Sequence, residues 1–214
     1  MHRAFLAFAQ TLLIEPHCPI CDGPWQGPQP PTSPCLSCLD ALELPSEGIK
    51  GVLPLSWCAL GPYAGPLRQL LLQARQPSKS KALSALVQLL YNNSNLPATA
   101  VLVPIPSWKR QRSNPLPQRI ALGLGRPTAD LLRRTRAGLS QHHLNKSQRQ
   151  TNLIGAFRAS SFPQQRALSS VWLVDDILTT GSTALAARQA LEDAGHHVAG
   201  LICLGRTPTK ERRR

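Results

Sequence analysis

Acidic residues are scarce in this 214-residue chain: 11 Asp and Glu stand against 24 Lys and Arg, a formal net charge of +13. The shortage is sharpest between Gly48 and Val174, where Asp130 is the only acid. Such asymmetry favours a polyanion as partner, either a pyrophosphate-bearing substrate or nucleic acid. Aromatic residues are also few, at 5%, while 20 prolines point to many loops and strand edges. No apolar run is long enough to cross a bilayer; the N-terminal one, residues 4–14, is interrupted by Gln10 and Thr11. His2 and Arg3 could open a signal peptide, but no small-x-small cleavage site follows them, only Glu15-Pro16-His17-Cys18. The stretch reads instead as an amphipathic helix docked on the body of a cytoplasmic protein, with Phe5, Phe8, Leu12 and Leu13 at helical spacing. No internal repeat is evident. The length suits one domain of ordinary size plus a small module, and 42% hydrophobic residues suffice for a packed core.

The small module announces itself through cysteine. Cys18-Pro-Ile-Cys21 and Cys35-Leu-Ser-Cys38 are two C-x-x-C pairs separated by thirteen residues. A two-residue gap lets both thiolates of a knuckle face one ion, and two such knuckles make a tetrahedral zinc site. Disulfides are the alternative, which a cytosolic compartment disfavours. His17 is adjacent, yet four cysteines already close the site. The expected ion is structural Zn²⁺, because no position is left open for water. Between the knuckles lies Trp25 but no Lys or Arg, so this loop reads as a stability device or a protein contact rather than a grip on DNA. Cys58 and Cys203 stand alone in apolar surroundings and read as packed small hydrophobes.

The rest of the chain is organised around residues 171–183, Val-Trp-Leu-Val-Asp-Asp-Ile-Leu-Thr-Thr-Gly-Ser-Thr. Residues 171–174 suit a strand buried on both faces of a parallel sheet. Asp175 and Asp176 follow where that strand should run out of cover. Thr179, Thr180, Gly181, Ser182 and Thr183 then lead into a helical pattern over residues 184–192. A turn entering a helix offers N–H groups and a positive dipole end to an anion. The hydroxyls add donors, and the glycine allows close approach. The loop has no Lys and lacks the spacing of a nucleoside-triphosphate loop, so a single phosphate fits it better. Adjacent carboxylates suit a vicinal diol. One phosphate beside one diol describes a ribose 5-phosphate. The run resembles the signature of type I phosphoribosyltransferases. In that family the two acids hold the ribose hydroxyls of phosphoribosyl pyrophosphate and the Thr/Gly loop holds its 5-phosphate.

Elsewhere, residues 43–51 read as a linker and 53–60 as a strand. Helical runs are expected over 67–74 and 82–91, and a strand over 100–103 ending in Pro104-Ile105-Pro106. If that strand is parallel to 171–174, its end points into the same crevice. The basic residues beyond it, Lys109 and Arg110 above all, would then meet a pyrophosphate. Residues 118–136 hold a helical segment and then 131–134, readable as helix or strand. The last strand is expected over 198–204. The expected organisation is an N-terminal helix and zinc ribbon over 1–48, an α/β parallel-sheet domain over 49–208, and a basic tail over 209–214.

Taken together, the pieces resemble the ComF family, also called the GntX-type family, a branch of phosphoribosyltransferase-like proteins. The likeness is carried by Leu12-Leu13-Ile14-Glu15-Pro16 entering Cys18-x-x-Cys21, by Tyr63-Ala64-Gly65-Pro66-Leu67-Arg68, and by Val103-Pro104-Ile105-Pro106. It continues through Arg134, Arg136, Gln141, Leu144, Arg149, Asn152, Gly155, Ala156 and Phe157, and ends with residues 171–183. One element departs: where the family has Arg-Gly-Phe-Asn-Gln, this chain has Asn114-Pro115-Leu116-Pro117-Gln118. Where the family tends to have Lys after the Tyr63 helix, it has Gln73-Ala74-Arg75. The resemblance implies a phosphoribosyltransferase-like fold that binds phosphoribosyl pyrophosphate or a related ribose phosphate. It also implies a role in natural competence, handling single-stranded DNA alongside a helicase. As an enzyme, it would displace pyrophosphate at the anomeric carbon with Mg²⁺ beside the leaving group, onto an acceptor the sequence does not name.

Overall fold

Strand β6, Val171–Leu178, is the axis of the molecule. It is hydrogen-bonded on both sides, and its Val171, Leu173 and Val174 are wholly buried, as a strand covered on two faces requires. A computed structural model describes residues 16–25, 32–107, 114–135, 155–160 and 170–208. Within them the chain runs α1 (Leu36–Leu42), β1 (Ile49–Gly51), β2 (Trp57–Pro62), α2 (Gly65–Gln73), α3 (Ser80–Asn93) and β3 (Val101–Pro104). There follow α4 (Leu116–Gly123), β4 (Leu132–Arg134), β5 (Phe157–Ala159), β6, α5 (Ser182–Asp193) and β7 (Val198–Arg206).

Five strands form one sheet in the order β1-β2-β7-β6-β3. All neighbours are parallel except β1, which lies antiparallel on the edge with Lys50 opposite Cys58. β4 and β5 make a separate antiparallel pair. The expected α/β class with a parallel sheet is thus found. The expected pairing of 100–103 with 171–174 is also found: Val101 sits opposite Val171 and Pro104 opposite Val174.

Helices α2, α3 and α4 cover one face. The apolar residues of α3 (Ala82, Leu83, Leu86, Val87 and Leu90) recur at helical spacing and are buried against Leu60, Leu102, Val174 and Ile202. Gly123 lets α4 close on α3, since a Cβ there would stand 2.9 Å from Val87 Cγ1. On the other face, α5 and the β4–β5 pair bury Ala184, Ala187, Leu191 and Phe157 against Val103, Leu173, Leu201 and Cys203. Cys58 and Cys203 are buried as expected of small hydrophobes, and burial raises the Cys58 thiol to about 11.

Three boundaries differ from the sequence reading. The linker contains β1, a three-residue edge strand too short to show a period. The strand read from Leu53 begins only at Trp57. Most consequential, β6 does not end at Val174 but continues through both aspartates to Leu178, held by β7 as far as the Leu178–Arg206 pair. The helix expected over 4–14 and the tail over 209–214 lie outside the described residues, as do Lys109, Arg110, Arg136, Gln141, Leu144, Arg149 and Asn152. No described helix is long and apolar enough to cross a membrane.

Candidate functional site

The carboxyl edge of the sheet carries the two predicted aspartates and the hydroxyl loop, while Lys109 and Arg110 lie outside the described residues. β6 continues past β3 as a strand, so its successive side chains still alternate between the two faces. Asp176, only 7% exposed, faces α2 and α4. Its Oδ2 accepts from Asn114 Nδ2 at 2.6 Å and from Arg75 Nη2 at 3.3 Å, and its Oδ1 accepts from Ile177 N at 2.9 Å. Asp175 faces the β4 side, towards Arg134, and its Oδ1 accepts from Asp176 N at 2.9 Å. Burial and then the neighbouring Asp176 charge hold the Asp175 carboxyl well above the usual carboxylate range, despite the pull of Arg134. The same burial lowers Arg134. One acid is therefore fully partnered within the protein, while the other is held at an electrostatic disadvantage. Strained electrostatics of this kind marks functional sites more often than structural ones.

The hydroxyl loop follows. Gly181 caps α5 at φ +81°, and Leu185 N donates back to Gly181 O at 2.9 Å. Thr180 Oγ1 and Ser182 Oγ lie 3.0 Å apart, and Ser182 N points at Thr180 Oγ1 at 3.5 Å. Thr179 and Thr180 are exposed; Thr183 and Ala184 lie in the first turn, where amides have no intrahelical acceptor. Hydroxyls and free amides thus share one corner beside the positive end of a twelve-residue helix.

The sequence gives no hint of what holds this corner. Arg206, the residue of β7 opposite Leu178, donates through Nη1 to Leu178 O at 3.0 Å and to Thr179 O. Its guanidinium lies 5.5 Å from the Trp57 ring centroid. Pro54 packs on Gly181 so closely that a Cβ there would overlap Pro54 Cγ. Only the parallel register of β6 and β7 could have revealed Arg206. Arg75 did carry a signal, since it occupies the stretch where the resembled family has Lys. Asn114, first residue of the departing element, is tied into the site rather than lost from it: besides Asp176 it binds Leu116 N through Oδ1 at 3.2 Å.

Gly181 offers a direct test of the loop. Gly181→Ala must place a side chain at positive φ and against Pro54, at a cost of about 1–3 kcal/mol. Thermal unfolding should show a drop of about 2–4 °C for each kcal/mol. An unchanged midpoint would mean that the loop does not hold this conformation.

The second predicted centre is also assembled. Sγ atoms of Cys18, Cys21, Cys35 and Cys38 all lie within 4.8 Å of one another, with Cys18–Cys38 and Cys21–Cys35 each at 3.9 Å. A tetrahedron with Zn–S bonds of about 2.3 Å has edges of about 3.8 Å, so the four thiolates fit zinc. A disulfide would need about 2.0 Å, and all four cysteines are free. Cys18 Sγ accepts from Ile20 N and Cys35 N, each at 3.4 Å. Burial pushes the Cys18 thiol up, but backbone donors at Cys21, Cys35 and Ile20 outweigh it and bring it down to about 6. His17 turns away, its Nδ1 bonded to Asp22 O at 2.7 Å. The module leans on the main core through Leu42, with Ile20 and Leu44 beside it.

No family model matches the chain. Solved structures similar to it include adenine phosphoribosyltransferases from Leishmania tarentolae (21% identity, 61% of this chain and 58% of that one, TM-score 0.32) and Trypanosoma brucei (18% identity, 70% and 83%, TM-score 0.35). Likeness at such scores bears no weight for function. Sequence relatives are closer. The DNA utilization protein YhgH of Salmonella typhi is 31% identical over 195 residues, 83% of this chain and 79% of that protein. The protein of the same name from Escherichia coli K12 is 32% identical over 160 residues, 68% of this chain and 69% of that protein. Identity at this level across more than two thirds of both proteins decides the matter: the chain belongs to the family of the DNA utilization protein YhgH.

Proposed function

We propose that this protein binds phosphoribosyl pyrophosphate, or a related ribose phosphate, at the carboxyl end of β6, and serves DNA uptake as a cytoplasmic ComF-like protein. The observation that carries the reading is the convergence of two aspartates and a hydroxyl-lined helix start at one edge of a parallel sheet. In this reading Thr179, Thr180, Gly181, Ser182 and Thr183 take the 5-phosphate, and Asp175 and Asp176 take the ribose hydroxyls. Asp176 would exchange Asn114 or Arg75 for a hydroxyl as the ligand enters. Lys109 and Arg110, outside the described residues, are the proposed cations for pyrophosphate, with Mg²⁺ accompanying it. Zn²⁺ at the four cysteines is structural. The DNA utilization for which the relatives are named, together with the +13 charge, favours single-stranded DNA, with a competence helicase, as the macromolecular partners. The intact aspartate–threonine run keeps a second reading in play, an active phosphoribosyltransferase of nucleotide salvage type.

Calorimetric titration with phosphoribosyl pyrophosphate and Mg²⁺, beside an assay of pyrophosphate release over a panel of bases and amines, tests both. Micromolar binding without release is the expected result. Release with any acceptor would establish the transferase, and absence of binding would overturn the site.

A further inference from the structure

We infer that a second site, at the opposite end of the sheet, holds a base of single-stranded nucleic acid. It is a cleft of ≈350 Å³ lined by Lys50, Ser56, Trp57, Cys58, Asn95 and Trp172. Trp172 is the second residue of β6, so the cleft lies about 20 Å along the strand from Leu178 and the phosphate loop, at roughly 3.3 Å per residue. The inference rests on the reading that the protein meets DNA, and it names where.

The cleft is built by two glycines. Gly200 of β7 sits between Trp172 and Ser56, and a Cβ there would stand 2.9 Å from Trp172 Cζ3 and 2.9 Å from Ser56 O. The Trp172 indole can therefore lie over bare backbone. At the sheet edge, Trp57 lies over Gly51 in the same way, 2.6 Å from where a Cβ would be, and its Nε1 donates to Leu53 O at 2.9 Å. Two indoles are thus fixed as walls, with little rotamer freedom left to lose on binding.

The chemistry of the lining selects the ligand. Among the described residues no acid borders the cleft, which argues against a metal ion, and Lys50 is the single cation in its lining, too little for a pyrophosphate. Trp172 Nε1 is itself buried, so the indole meets a ligand through its ring rather than its N–H. Asn95 offers both a donor and an acceptor, and Lys50 and Asn95 are exposed at the rim. Flat apolar walls, an amide for a base edge and one ammonium for one phosphate describe a nucleotide unit. Continuity favours a strand over a free nucleotide: a second cleft of ≈360 Å³, bordered by Arg206 and Thr207, shares Gly51, Val52 and Trp57 with the first. The groove therefore passes Trp57 towards the phosphate loop.

Fluorescence anisotropy with a labelled oligothymidylate of about twelve nucleotides tests this, at a length within the usual single-strand site sizes. The double variant Lys50→Glu/Asn95→Asp changes only exposed side chains, and circular dichroism will confirm its fold. It should bind at least about tenfold more weakly. Trp172→Phe, which keeps an aromatic ring but shortens the wall, should weaken binding by a smaller factor. A backbone-matched abasic oligomer should bind wild type as poorly as thymidylate binds the double variant. Thymidylate that binds equally well with or without these changes, or wild type that binds abasic and normal strands alike, overturns the cleft and leaves DNA binding standing. Free thymidine monophosphate binding as tightly as the oligomer overturns the strand. Wild type that binds no oligomer removes the DNA reading itself, and this inference with it.

Discussion

Cys21→Ser should release the metal and with it the order of residues 16–25 and of α1. Cys21 is exposed, so its replacement removes a ligand without opening a core cavity. Among the described residues little else holds the module. Its first knuckle has backbone bonds from Cys18 N to Gly23 O, Asp22 N to Cys18 O and Trp25 N to Pro16 O. α1 has seven residues and no side-chain cap, and isolated helices under about 12–15 residues are marginal in water. Structural zinc supplies about 10–16 kcal/mol to such modules, which is folding free energy. Melting α1 would withdraw Leu42 from the main core, a loss of about 1.5–3 kcal/mol. Elemental analysis should find zinc in the wild type and in Cys58→Ser, and almost none in Cys21→Ser. The unfolding midpoint of the sheet should fall by about 2–4 °C per kcal/mol lost. Zinc retained by Cys21→Ser, or absent from carefully purified wild type, would refute a four-thiolate site.

The two aspartates should behave oppositely in stability and alike in binding. Asp175→Asn removes a half-buried carboxyl that the fold resists ionising while keeping an oxygen for Asp176 N, so the variant should melt about 2–4 °C above wild type, the equivalent of roughly 1 kcal/mol. The pH dependence has a definite sign. The folded state raises the Asp175 pKa, so the cost to folding builds as pH rises from the unfolded carboxyl value, is complete above the folded one, and disappears only as pH falls back through the unfolded value. The advantage of Asp175→Asn should therefore be largest at neutral and alkaline pH and shrink in acid. Asp176→Asn is the reverse case. Its new amide would confront the donors of Arg75 and Asn114, costing about 1–3 kcal/mol. On the proposed reading, each variant should lose charged hydrogen bonds to ribose worth about 1.5–3 kcal/mol, or roughly 10–100-fold in affinity for phosphoribosyl pyrophosphate. Calorimetry and thermal melts on both proteins separate the effects. Equal melting shifts of the same sign would remove the electrostatic distinction between the acids, and unaltered affinity would remove their role in the site.

Much of the fold was legible because its signals are local. The buried runs at Val101 and Val171 show as continuous apolar segments, and α3 shows as helical spacing. The cysteine knuckles are legible from two gaps of two residues. The features that stay hidden depend on register. Leu178 stands beside Arg206 only because β6 and β7 run parallel, so an arginine 27 residues beyond Thr179 comes to clasp the hydroxyl loop. Pro54 reaches Gly181 through a loop with no periodic pattern at all. The extension of β6 through Asp175 and Asp176 also eludes pattern reading, because charged residues conventionally mark a strand's end. Here β7 continues to pair with the strand after β3 has stopped, so backbone cover outlasts apolar sequence. Asn114 shows the complementary error: a departure from a family motif reads as loss, yet its amide makes the 2.6 Å bond to Asp176.

The place of β7 in the sheet has a consequence for biosynthesis. The last described strand to leave the ribosome is the one that joins β2 to β6. Until residues 198–206 emerge, the nascent chain holds two separate pieces, β1–β2 and β3–β6, each with an open backbone edge facing the other. Domains usually begin to fold as translation proceeds, at about 5–20 residues per second. The sheet is closed only when β7 inserts, so a message stalled or truncated before residue 198 leaves two unsatisfied edges for chaperones to guard.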